Sequence, residues 1–301
     1  MRIGLVGLGA RRNLSELLED ARTARDDGFS TYWLSQDTTH DPLTAIALMG
    51  REIPEIKFGT SIPPTFLRHP KVLATQALTV QEATEGRLLL NIGPAAPPNR
   101  DSYFGYVFDQ PITHMRRLIT VLRRLLNGEA VDTDSPSLDL QGQIDINVGA
   151  PLVLMTAFKP TMVRFAGEQA DGIFTWLVGH RTLSDYVVPE VTRAASEAQR
   201  ISPRVMAAVA VCVTSKVKQA RASAAERLEI FNGLSSYKAM LAREGVLWAQ
   251  DLFITGEEDE VTESLLKYAK AGATDLVVAE LCPDATSARR TRKLLTSLAN
   301  R

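Results

Sequence analysis

A closed (β/α)8 TIM barrel is the fold this sequence predicts, as a single domain spanning residues 1–301. Three observations predict it. Short apolar runs of four or five residues alternate with amphipathic stretches along the whole chain, the pattern of parallel strands joined by helical crossovers. Eight such units can be counted, enough to close a barrel. No Gly-x-Gly-x-x-Gly turn follows an early strand: Gly4-Leu5-Val6-Gly7-Leu8-Gly9 has the wrong spacing, which disfavours an open dinucleotide-binding sheet.

The elements follow in order. Ile3–Val6 reads as the first strand, and its helix starts at Asn13, with Glu16 three residues on as a capping box, and stops at Gly28. Thr31–Leu34 is the second strand, and Asp41-Pro42 supplies an N-cap and first-turn proline. Lys57–Ser61 is the third, followed by a helix from Pro70 that Gly86 ends; Leu88–Ile92 is the fourth. An excursion through Pro94–Phe108 carries Tyr103, Phe104, Tyr106 and Phe108, readable as a packed loop or a substrate wall, and Asp109 caps a helix to Leu126. Alternation around Gly142 predicts a small hairpin within Leu138–Ile146. Leu152–Met155, Gly172–Trp176 and Val205–Val213 are strands five to seven. A long helical region to about Arg243, a short strand or turn at Asp251–Ile254, and the helix Glu258–Ala271 lead to the eighth strand, Asp275–Ala279. Insertions are therefore expected after strands four and seven.

Composition is that of an ordinary globular protein, 45% hydrophobic and 23% charged. A net charge of −1 favours neither nucleic acid nor an anionic membrane as partner. No apolar run is long enough for a span, and the N-terminal run is too short for a signal peptide, so a cytoplasmic protein is expected. The two cysteines, Cys212 and Cys282, read as reduced, packed thiols.

In a barrel, ligands bind at the segments just after the strands. The most distinctive of these is Gly59-Thr60-Ser61-Ile62-Pro63-Pro64-Thr65-Phe66-Leu67-Arg68-His69-Pro70, a strand end, a double proline and a helix start. Metal catalysis is disfavoured, because His40, His69, His114 and His180 form no close pair and no Cys-x-x-Cys exists. There is no Gly-x-Ser-x-Gly elbow and no phosphate loop of the Gly-x-x-x-x-Gly-Lys type. A rim of glycines, aromatics and backbone, poor in acids, suits a site where a bound cofactor carries the chemistry. Gly179-His180-Arg181 opens a helix whose amides could hold a phosphate.

With these pieces in view, the chain resembles the luciferase-like superfamily, and within it the branch of oxidoreductases using the deazaflavin coenzyme F420, related to methylene-tetrahydromethanopterin reductases. The resemblance rests on the Gly59–Pro70 segment, on Glu85-Gly86-Arg87-Leu88 into Asn91-Ile92-Gly93-Pro94, and on Ala166-Gly167-Glu168-Gln169-Ala170-Asp171-Gly172 into Thr175-Trp176. It also rests on Leu234-Ser235-Ser236-Tyr237-Lys238 through Gly245 and on Ala271-Gly272-Ala273-Thr274-Asp275.

The resemblance implies a cofactor at the barrel mouth, F420 or alternatively FMN, with its ring toward strand three. A cis Ser61–Ile62 peptide would form the bulge behind that ring. It implies cofactor contacts at Gly7, Ser61, Ile62 and Gly93, with phosphate and ribityl contacts from Ala157, Lys159, Pro160, Trp176, Gly179, His180 and Arg181. Gln36, Asp37 and His40 take the catalytic side. It implies hydride transfer to a C=N or C=C bond of a small molecule, with specialised-metabolite biosynthesis as one setting, by a homodimer. Departures from the family pattern are Gln36 where many relatives carry aspartate, Ala95-Ala96-Pro97 where an acid or histidine is common, and Lys159 where glycine is expected. Two further readings stand beside this one: an FMN-dependent monooxygenase on the same fold, and a non-catalytic flavin-binding barrel, which the loss of acids at Gln36 and Ala96 keeps open.

Overall fold

A computed structural model describes residues 1–8, 12–36, 40–94, 111–135 and 138–300. Its barrel strands are β1 (Arg2–Gly7), β2 (Thr31–Ser35), β3 (Lys57–Ser61), β4 (Leu88–Ile92), β7 (Leu152–Thr156), β8 (Gly172–Trp176), β9 (Arg204–Val213) and β11 (Asp275–Glu280). They are parallel in the order β9-β11-β1-β2-β3-β4-β7-β8, and β8 pairs back onto β9, so the sheet is closed. The expected (β/α)8 barrel is therefore the observed fold.

Helices α1 (Leu14–Asp26), α2 (Pro42–Glu52), α3 (Pro70–Ala83), α4 (Pro111–Leu126) and α5 (Pro160–Gln169) wrap the outside. They are joined by α6 (His180–Thr182), α7 (Val188–Glu197), α8 (Val217–Asn232), α9 (Ser235–Glu244), α10 (Glu258–Lys270) and α11 (Ala285–Ala299). The local signals act as read: Asn13 and Glu16 form a reciprocal capping box, and Asp41 caps α2 ahead of Pro42. Segment 249–256 contains both features expected near Asp251–Ile254, a 3-10 turn (Ala249–Leu252) and a strand, β10 (Ile254–Gly256), added to the upper half of β9.

The hairpin differs from expectation. Strand β5 (Val131–Ser135) pairs with β6 (Leu138–Gly142), so the reversal precedes Leu138, and Gly142 closes the pair at φ +108. Val131–Ser135 has no apolar alternation, which is the signal the sequence reading required. Asp109 and the aromatic cluster Tyr103–Phe108 lie outside the described residues.

Strand alternation divides the core into shells. Trp33, Leu89, Leu154, Phe174, Met206, Ala208 and Val277 fill the barrel interior, while a larger shell packs between strands and helices. Trp33 lies 4.9 Å from the Phe174 ring. Gly59 makes this possible, since a Cβ there would stand 2.2 Å from the indole. The N-terminal face is pinned by two carboxylates. Asp275 holds Arg204 at 2.6 Å and Arg2 at 2.8 Å across the β9–β11–β1 seam; Asp171 holds Arg200 at 2.8 Å and Arg123 at 3.0 Å. Asp171-Gly172, part of the resemblance, is thus a structural node at the face opposite the mouth.

Candidate active site at the barrel mouth

Above the apolar interior the inward positions turn polar on one side. Two residues beyond Leu89 and Leu154 stand Asn91 and Thr156, both buried, with Asn91 Nδ2 donating to Thr156 Oγ1 at 3.1 Å. Next to them β3 leaves the ladder. Its regular pairing with β4 ends at Gly59↔Leu89 and resumes as an isolated bridge at Pro64↔Gly93, so the β3 side carries one extra residue. That is a β-bulge. The Thr60 hydroxyl fills the interruption, donating to Asn91 O and accepting from Asn91 N, each at 3.0 Å.

The bulge is not made by a cis bond. No peptide among the described residues is cis, Ser61–Ile62 included; instead Ile62 adopts φ +62. A left-handed turn absorbs the extra residue at a cost of order 1–3 kcal/mol, below the roughly 3–4 kcal/mol of a non-prolyl cis bond. The expected backbone protrusion behind strand three is present, but by a different torsion.

The corner after β2 is organised by Arg68. Its Nη2 donates to Gln36 Oε1 at 2.8 Å and forms an ion pair with Asp41, whose carboxylate also accepts from the Thr44 amide at 2.8 Å. Gln36 thus stands where a carboxylate would be a second counter-charge for Arg68, and Asp41 already fills that role. His40 lies half-buried beside this corner, and its Nδ1 is buried with no hydrogen-bond partner among the described residues. Asp37 lies outside the described residues. His69, also on this rim, caps α3 through Nδ1 and the Lys71 amide.

After β7, Ala157 is buried, and Lys159 is the N-cap residue of α5 without a side-chain cap, followed by Pro160. Both Lys159 and Pro160 are exposed. After β8, Trp176 is half-buried and Leu177 turns the chain at φ +52 before Gly179. His180 sets its edge against Tyr268, ring centroids 6.1 Å apart, while the Arg181 side chain is exposed. The amides of Arg181 and Thr182 are taken by Glu244 from α9, Oε1 at 3.2 Å and Oε2 at 2.7 Å. Gly7 ends β1 beside Leu34 of β2, and a Cβ there would meet Tyr32 Oη at 2.2 Å, in the layer outside the barrel. Among the proposed site residues, then, Ser61, Ile62 and Gly93 adjoin one wall, Gln36 and His40 the next, and Ala157, Lys159 and Trp176 the far side.

The segment after β9 covers that far side with aromatic rings. Tyr237 of α9 lies 4.9 Å from both Phe158 and Phe231, and Phe231 is 6.3 Å from Trp176. Leu177, Ala210, Cys212, Leu234, Leu241 and Leu281 belong to the same cluster. Burial pushes the Tyr237 phenol well above its usual range. The mouth therefore gathers the Arg68 corner and the Asn91–Thr156 pair from β2 to β7, and its aromatic rings from the ends of β7 and β8 and the segment after β9. Sequence reading singled out Tyr237 but missed Phe158, Phe231, Arg68 as an organiser, and Glu244; in each case the partner is distant in sequence.

The groups described above stand at the C-terminal ends of the strands of a closed parallel barrel, the face at which barrels of this kind carry their ligand sites. Comparison with known proteins gives the family. Residues 2–275 match the luciferase-like monooxygenase family, and the chain belongs to it. It is 26% identical over 229 residues to a 5,10-methylenetetrahydromethanopterin reductase of Methanolobus tindarius, covering 75% of this chain and 70% of that protein. Among solved structures it resembles the coenzyme F420-dependent tetrahydromethanopterin reductase of Methanopyrus kandleri, with TM-score 0.80, 20% identity, and 99% and 96% of the two chains covered. It also resembles the FMN complex of the oxygenating constituent of 3,6-diketocamphane monooxygenase of Pseudomonas putida. There the TM-score is 0.77 and the identity 18%, with 99% and 97% of the chains covered.

Proposed function

We propose that the protein is an F420H2-dependent reductase acting on a C=N or C=C bond of a small molecule. The observation that carries this reading is the chemistry of the mouth. The carboxylates described around it are all engaged: Asp41 by Arg68, Glu244 by helix amides, Glu280 by Arg292 at 2.7 Å, and Asp284 by the Ser287 amide at 2.9 Å. What is offered instead is a backbone bulge, an amide–hydroxyl pair, an aromatic wall and the His40 Nδ1, which has no partner among the described residues. Such a set positions a flat ring and moves a proton, but contains no activated nucleophile. The coenzyme F420-dependent reductase among the named structures supports a deazaflavin, and the FMN complex keeps FMN as the alternative.

The ring side of the mouth fits a flavin-type group: the Ile62 bulge and Gly93 form a backbone wall, with Asn91 and Thr156 behind it. A reduced deazaflavin supplies a hydride when bound. On this reading the His40 imidazole is the proton donor for the atom next to the carbon receiving hydride, so that two electrons and two hydrogens are added in all. Gln36, fixed by Arg68, orients the substrate's polar edge. Phe158, Phe231 and Trp176 exclude water. Lys159, at the uncapped start of α5, is the cation for a cofactor phosphate. The start of α6 does not fit a phosphate while Glu244 occupies its amides.

The test is parallel binding of F420, FMN and NADP to purified protein, read by fluorescence or difference absorbance. F420 binding is expected; binding of FMN alone would overturn the reading. A second reading, an FMN-dependent monooxygenase, is favoured by the likeness to the FMN complex, and release of peroxide from the reduced holoprotein in air would select it. Sedimentation of the holoprotein tests the further proposal that it works as a homodimer.

A further inference from the structure

The start of the helix after β8 already has an anion, and that anion belongs to the protein. From His180 the backbone stays helical through α6, a π-helical turn (Leu183–Val187) and α7. The first turn of such a helix presents amides without intrahelical partners and a partial positive charge. Here the second and third of those amides, Arg181 and Thr182, point to the two oxygens of Glu244. Glu244 is only 7% exposed, and its oxygens take these amides rather than a cation among the described residues; the neighbouring Arg243 guanidinium lies 4.1 Å from the Tyr186 ring. A buried carboxylate without a cation is costly unless its oxygens are hydrogen-bonded, so the two amides and the helix start must supply the compensation. Gly179 is shaped to this arrangement, since a Cβ there would fall 2.0 Å from Glu244 Cδ.

We propose that Glu244 is a resident counter-anion that closes the β8 helix start to the phosphate of a flavin-type cofactor. It is thereby the residue setting how strongly this chain prefers phosphate-bearing over phosphate-free rings. A phosphate and Glu244 compete for the same two donors, and the carboxylate, tethered to α9, is present at high effective concentration. The part of this inference that concerns rings rests on the cofactor reading above; the closure itself does not.

The experiment uses the full chain as wild type, Glu244→Ala and Glu244→Gln, with circular dichroism confirming the fold of each. Inorganic phosphate is titrated by calorimetry and thermal shift. Affinities for FMN against riboflavin, and for F420 against its phosphate-free deazaflavin core, are measured by fluorescence. Inorganic phosphate is expected to raise the Tm of Glu244→Ala beyond any rise in wild type, where Lys159 stands at the start of α5, and the preference for the phosphate-bearing ring is expected to rise at least tenfold in Glu244→Ala. Glu244→Gln keeps an acceptor but no charge, so it should show the same change, smaller; it carries the test if the alanine variant does not fold. Equal phosphate response in wild type and variants overturns the proposal. If no ring binds any variant, the cofactor reading fails, and the phosphate titration alone decides the closure.

Discussion

Asp275 is the place to separate what holds the barrel from what works at its mouth. Its carboxylate is 3% exposed and takes Arg204 of β9 at 2.6 Å, Arg2 of β1 at 2.8 Å and the Thr274 hydroxyl at 2.6 Å, so it ties together three adjacent strands at the N-terminal face. Replacing it by asparagine keeps the volume but leaves two guanidinium groups facing a neutral amide. Removing one member of a buried pair costs about 3–5 kcal/mol. Arg2 is half-exposed and recovers water, so about 2–3 kcal/mol is expected here. For a chain of 301 residues the entropy of unfolding scales to about 0.6 kcal/mol/K, which converts this loss into a fall in Tm of about 4 °C. Urea titration should show the same loss at unchanged slope. Ring affinity at the mouth should stay within about twofold, because the perturbation lies at the opposite end of the strands. An unchanged Tm in Asp275→Asn would refute the seam argument, and a large loss of ring affinity would refute the separation of faces.

Gly59→Ala should lower stability by about 1–3 kcal/mol and shift tryptophan fluorescence, since its methyl would overlap the buried Trp33 ring. Burial raises the phenol of Tyr32 (with Asp20 adding to it), of Tyr237, and of Tyr268 (with Glu244 adding to it). A group whose folded pKa lies above its unfolded value stabilises fully below the unfolded value, near 10, and loses that contribution as pH rises toward the folded one. Absorbance at 295 nm should therefore show three tyrosines ionising only with cooperative unfolding above about pH 10; three free titrations in folded protein would contradict this. In the reductase assay, His40→Gln should lower kcat by about 10²-fold or more while leaving cofactor affinity within about twofold; an unchanged kcat removes His40 from the proton transfer.

The sequence was legible where the determining interactions are short in range. Asn13 with Glu16 and Asp41 with Pro42 act within one helical turn, and the eight apolar runs report burial on both faces of each strand. The hairpin was shifted because its first strand, Val131–Ser135, has a single apolar residue, Val131, and so no alternation to read. At Ser61–Ile62 the segment was correctly marked as irregular, yet the choice between a cis bond and a left-handed turn depends on how the chain regains register at Pro64↔Gly93, which no local residue encodes.

The same distinction of range separates the two helix starts that sequence treated alike. Pro160 and Gly179-His180 both follow strand ends, and each reads as a ready anion site. Only the fold brings Glu244, more than sixty residues downstream, onto the second of them and leaves the first with Lys159 at its cap and no side-chain acceptor. The electrostatic asymmetry of the mouth therefore comes from the long excursion after β9, the segment whose α9 also supplies Tyr237 to the aromatic wall. One segment thus contributes both the apolar cover and the internal anion. Changes in that segment should alter ligand preference while the strand-end frame, with its Thr60–Asn91–Thr156 hydrogen bonds, stays the same.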